Sequence, residues 1–93
     1  MDKKRLKDAR KKIDQIDSKI FYLIKNRTQI VKYMLSLKRY KKQIVDYPRI
    51  NQILKSIKKK SIKNNIDPKI TRRIWRSLIW SHVDFQRRNF RKK

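Results

Sequence analysis

The 93-residue chain contains no cysteine, no glycine and no glutamate, and only two prolines. Each absence closes off a class of protein. Without cysteine there are no disulfides and no thiolate metal sites, and nothing points to an oxidising compartment. One histidine and seven scattered aspartates do not form a recognisable zinc or calcium site, so no metal and no cofactor is expected. The same scarcity leaves no paired carboxylates for acid–base work and no nucleophile–base arrangement. Tight turns and sheet corners normally need glycine, so its absence points to an all-α chain. No stretch approaches the roughly 20 apolar residues of a membrane span, and the N-terminal MDKKRLKDARKK is charged without a following apolar block. The expectation is a soluble, cytoplasmic protein of one domain, residues 1–93, with no membrane partner and a thin core.

Basic charge is abundant: thirty Lys and Arg against seven Asp give a formal charge of +23. Such an excess can neutralise phosphates and steer polyanions. The basic residues are nevertheless spread along the whole chain, and Lys, Ile, Asn and Tyr are used together, as AT-rich codons dictate. Solvated helix faces therefore account for the charge better than a nucleic-acid partner does, and any such binding is expected to be nonspecific.

Apolar residues from Leu6 through Ala9, Ile13, Ile16, Ile20, Leu23, Ile24, Ile30, Val31, Met34 and Leu37 recur at spacings of three and four without a breaker. This periodicity predicts a first helix from about Lys4 to about Arg39, roughly 50 Å long. Two other helices are too short to cover it, which favours an oligomer. The segment Tyr40 to Tyr47 breaks the pattern, and Pro48 suits the first turn of a second helix carrying Ile50, Ile53, Leu54 and Ile57. Periodicity is lost after Ile57, in KKKSIKNN. Asp67 followed by Pro68 gives an N-cap and a first helical residue for a third helix, which presents Ile70, Ile74, Leu78 and Phe85 before the basic tail 87–93. Trp75 and Trp80, with Phe21, Tyr22 and Tyr33, follow the aliphatic spacing and fit core and rim better than base-stacking platforms.

Five polar residues, Arg10, Arg27, Lys38, Arg49 and Gln86, fall on or beside these apolar seams. Cations next to buried surface are costly unless an anion compensates them, so their placement suggests a pocket for a small, multiply charged ligand. Arg27 and Lys38 are eleven residues apart, three helical turns, and share one face roughly 16 Å apart along the axis. Arg10 lies seventeen residues before Arg27 and cannot reach a small ligand held by that pair. Antiparallel pairing of two long helices across a two-fold axis would carry Arg10 of one chain toward Arg27 and Lys38 of the other. An exposed helical arginine is the plain alternative.

Taken together, Ala9-Arg10-x-x-Ile13-x-x-Ile16-Asp17, Leu23-Ile24-x-x-Arg27, Lys38 eleven residues later, Asp46-x-x-Arg49 opening the second helix, and Gln86 after an Ile66-Asp67 turn resemble the small all-helical chorismate mutases of the AroQ class. The resemblance covers nearly the whole chain. It implies an intertwined homodimer of three-helix chains that rearranges chorismate to prephenate. In that reading Arg27 and the partner's Arg10 bind the two substrate carboxylates, and Arg49 adds positive potential. Lys38 bridges a carboxylate and the ether oxygen, while Gln86 donates to the same oxygen. Asp46 helps place the ring hydroxyl or caps the second helix. Two positions depart from the family pattern. Ile50 stands where relatives usually carry a glutamate that contacts the hydroxyl, and His82 stands where they usually carry a small hydroxyl residue near a carboxylate. His82 either donates to that carboxylate or fills the rim. The loop from Tyr40 to Tyr47 is also about two residues shorter than is usual. A related pyruvate lyase acting on isochorismate and a non-enzymatic basic helical nucleic-acid binder are the alternatives.

Overall fold

A computed structural model describes residues 2–91. It is all-α, as the composition demands: α1 spans Lys3–Leu37, a single 3-10 turn covers Lys41–Gln43, α2 spans Tyr47–Lys63 and α3 spans Pro68–Asn89. Among the described residues there is no strand, and no helix is long and apolar enough to cross a membrane. Contacts divide the chain into two units, one running through Val31 and the other beginning at Lys32.

The first unit is a length of α1. None of α1's residues is buried, and its apolar stripe lies open in the single chain, with Ile16 51% and Leu23 65% exposed. Its aromatic pair, Phe21 and Tyr22, meets edge to face at 5.7 Å between ring centroids. An exposed stripe of this length has the pattern of a surface made to be covered, because each large aliphatic side chain gains about 1.5–3 kcal/mol on full burial.

The second unit holds the last residues of α1, the 3-10 turn, and α2 packed against α3. Ile44, Ile50, Ile79 and Val83 form its buried apolar core. The end of α1 is tied to α3 through Lys32, whose ammonium lies 5.9 Å from the centre of the Phe85 ring. Trp80 leans on Tyr47 at 6.2 Å. The basic tail begins inside the helix, since α3 continues to Asn89. Lys92 and Lys93 lie outside the described residues.

Helix α2 runs six residues beyond Ile57, where the aliphatic periodicity stops. Ser61 occupies the next inward position and is 2% exposed. Its hydroxyl donates to the Ile57 carbonyl at 2.7 Å and lies 2.6 Å from the Thr71 hydroxyl. A polar residue thus holds an apolar position because both of its hydrogen-bonding capacities are met. The helix then ends in a Schellman arrangement: the Ile66 N–H reaches the Ser61 carbonyl at 2.9 Å and the Asn65 N–H reaches the Ile62 carbonyl at 3.3 Å. This geometry needs a left-handed residue, and Asn65 supplies it at φ 57° in a chain without glycine. Asp67 accepts from the Lys69 N–H at 2.9 Å and starts α3.

Asn65→Val is therefore expected to destabilise the fold by about 1–2 kcal/mol, whereas Asn65→Gly leaves stability unchanged or slightly raised. Urea unfolding midpoints of the two variants against the parent test this.

Candidate active site

Lys38 is the first residue after α1, and its N–H still bonds back to the Leu35 carbonyl at 3.1 Å. The helix then gives way to the 3-10 turn Lys41–Gln43 without glycine. Gln43 makes this possible by accepting from two successive backbone donors, the Arg39 N–H at 2.7 Å and the Tyr40 N–H at 2.8 Å. Past the turn, Asp46 caps α2: its Oδ1 accepts from the Arg49 N–H at 3.0 Å, and Pro48 sits in the first helical turn, where its missing N–H costs nothing. This local chemistry brings the Asp46 carboxylate within electrostatic reach of Lys38.

Gln86 arrives from the far end of α3. It is 6% exposed, and its Oε1 accepts from the Lys38 Nζ at 2.6 Å. Its Nε2 donates to the His82 carbonyl one turn earlier, at 3.2 Å. The amide is thereby fixed at both ends, with one Nε2 hydrogen left over. His82 is buried on the same face of α3. The second unit thus brings Lys38 and Gln86, forty-eight residues apart in sequence, into contact.

The electrostatics of Lys38 follow from that placement. Partial burial pushes its ammonium below the ordinary lysine value, and the Asp46 carboxylate pulls the other way. Burial prevails, so the charged form of Lys38 is held at a cost. A group whose folded value is lowered penalises the folded state at neutral pH. The penalty is relieved as pH rises from the folded value toward the ordinary one near 10.5. An anion bound beside the ammonium would relieve it at neutral pH instead.

The remaining candidates are distributed differently. Arg49 is exposed, and its Nη1 donates to Gln52 Oε1 at 2.8 Å along the same helix. Ile50 is buried and belongs to the core, so the position after Arg49 offers no polar group to a ligand. Arg27 is half-buried and Arg10 is exposed, both in the first unit, and the seventeen residues between them span about 25 Å of α1. Among the described residues no cluster of histidine and carboxylates could hold a metal ion. Sequence reasoning passed over Gln43. Its signal was a glutamine three residues after Tyr40 at a break in periodicity, the spacing of a side chain that reaches back to free N–H groups.

If Asp46 supports the charge on Lys38, Asp46→Asn lowers the lysine's titration midpoint further. The carbon shift of Lys38 Cε, followed by NMR across alkaline pH, reads this directly. The parent midpoint is expected below 10.5 and the variant midpoint below the parent.

No curated protein and no solved structure matches the chain. The family model for chorismate mutase type II matches residues 9–87, a span that takes in every candidate site residue. With 79 of the 93 residues inside the match, the chain belongs to the chorismate mutase type II family.

Proposed function

We propose that the protein is a chorismate mutase that converts chorismate to prephenate, acting as a homodimer in the biosynthesis of aromatic amino acids in the cytoplasm. The observation that carries this reading is the contact between Lys38 and Gln86: a partly desolvated cation and a buried amide, forty-eight residues apart, converge without a carboxylate between them. Such a pair is suited to an anionic oxygen.

The rearrangement is intramolecular. One carbon–oxygen bond of the enol ether breaks as one carbon–carbon bond forms, and no proton or group leaves. The protein therefore needs neither nucleophile nor base, only to hold the flexible dianion in its compact conformer and to stabilise charge that grows on the ether oxygen. Arg27 and the partner's Arg10 would clamp the two carboxylates with their guanidinium forks. Lys38 keeps two ammonium hydrogens beyond the one given to Gln86, enough for a carboxylate and the ether oxygen. The free Nε2 hydrogen of Gln86 would point to that same oxygen. These two interactions strengthen as the bond breaks, so they carry the differential stabilisation that accelerates the reaction. Arg49 would add positive potential, and His82 would donate to a carboxylate. The second carboxylate oxygen of Asp46, outside the capping bond, would accept from the ring hydroxyl.

The dimer rests on α1. Its exposed aliphatic stripe is long, and pairing two such helices would cover both stripes while bringing each Arg10 to the other chain's site.

Ultraviolet monitoring of chorismate loss, with the product identified as prephenate, tests the activity. Release of pyruvate from isochorismate with no turnover of chorismate would replace the mutase reading with the lyase. Lys38→Ala is expected to lower kcat/KM by about 10²–10³ or more while helicity is retained. The shared site has its own test. Mixing inactive Arg10→Ala chains with inactive Lys38→Ala chains rebuilds one intact site in each heterodimer, so about one quarter of parental activity should return at random exchange. No recovery, with exchange verified by mass, would show that Arg10 serves its own chain.

A further inference from the structure

A dianion site uses few of the cations in this chain, and those on α2 and in the first nine residues of α3 stand in stretches without a carboxylate. Helix α2 carries five lysines and one arginine with no carboxylate between Tyr47 and Lys63. The first nine residues of α3 add one lysine and three arginines, again without a carboxylate. Between the two helices lie a recess of about 150 Å³ and a broader open one of about 660 Å³, which share Leu54, Lys58 and Arg72 and so form one groove.

The groove has two basic banks. Lys55 and Lys58 stand on the α2 side, and Lys69 and Arg72 on the α3 side, over a floor of Leu54, Ile57 and Pro68. None of the four cations is ion-paired among the described residues, and no carboxylate lines the groove. Like charges facing one another across an apolar floor repel, and a polyanion laid between them removes the repulsion. The lining also decides which polyanion. It offers no aromatic face on which an unpaired base could stack, and no acidic group to meet the ammonium of an amino acid or the basic side chains of a protein. From Pro48 to Lys58 the groove runs about 15 Å, the axial length of about four phosphates on one strand of a duplex.

We propose that the α2–α3 groove is a second binding site, which holds the phosphate backbone of duplex nucleic acid without reading its sequence. Phosphates lie between the two banks and sugars rest on the apolar floor. No residue of the groove belongs to the candidate active site, so this function stands or falls independently of the mutase reading.

The test uses the full chain and a fluorescein-labelled 20-base-pair DNA duplex, with anisotropy titrations over a series of salt concentrations. The parent should bind with log K falling linearly against log salt. The combined Lys55→Ala, Lys58→Ala and Arg72→Ala variant should lose about two to three units of that slope, since each phosphate contact contributes about 0.9. A control variant of equal charge, Lys3→Ala, Lys4→Ala and Lys7→Ala on α1, should lose less than one unit. Circular dichroism confirms that both variants remain helical. Equal losses in the two variants would show that diffuse charge, and no groove, holds the DNA. Absence of duplex binding, or tighter binding of a 20-nucleotide single strand that survives the groove substitutions, would overturn the proposal.

Discussion

Everything at the candidate site depends on keeping one lysine charged while part of its solvent is removed. Gln86 contributes a carbonyl dipole at 2.6 Å and Asp46 contributes an attractive field, yet burial still depresses the ammonium. A full ion pair would have settled Lys38 more comfortably and made it useless, because a neutralised lysine has little left to offer an anion. Partial compensation by one neutral amide and one more distant carboxylate leaves a cation that is affordable to fold and still in want of a partner.

The scarcity of acid in the second unit enforces this arrangement. Only three carboxylates occur after Val31, and each has a local task. Asp46 caps α2 through the Arg49 N–H, Asp67 caps α3 through the Lys69 N–H, and Asp84 pairs with Arg88 at 2.8 Å on the exposed surface. Two of the three therefore act on helix N-termini, where a negative charge meets both free N–H groups and the positive end of the helix dipole. Asp46 combines this with its influence on Lys38, so a single residue fixes where α2 begins and offsets part of what burial does to the lysine. In a protein with glutamates to spare, these duties could be divided.

Much of this was legible in the sequence because its signals were local. Asp67 and Pro68 announced α3 through cap chemistry that any three-residue window contains, and the stripe from Leu6 to Leu37 announced α1 through spacing alone. The end of α2 was hidden for a physical reason. Past Ile57 the inward position is held by Ser61, and a serine counts as apolar only once Thr71, ten residues on and in another helix, is known to meet its hydroxyl. The site divides in the same way. Lys38 and Gln86 stood out as polar residues on apolar seams, but their contact joins residues forty-eight positions apart, and it was the family pattern that linked them. The direction of the Gln86 amide, oxygen to the lysine and nitrogen to the His82 carbonyl, depends on tertiary geometry that no spacing encodes.

Ile50 shows how the chain trades one demand against another. With only four buried aliphatic residues among the described residues of the second unit, each contributes on the order of 1.5–3 kcal/mol by burial, and a polar residue at position 50 would remove one of them. On the proposed mutase reading the loss would fall on recognition of the substrate's hydroxyl, a ground-state contact shared by substrate and transition state. The contacts that would change as the ether bond breaks in the proposed reaction, from Lys38 and Gln86, would be untouched. Uniform binding of that kind alters substrate affinity far more than it alters the rate of the bound complex. On that reading a small core can be strengthened at position 50 with catalysis preserved, provided the cations proposed to surround the dianion supply the affinity that a hydrogen bond there would have given.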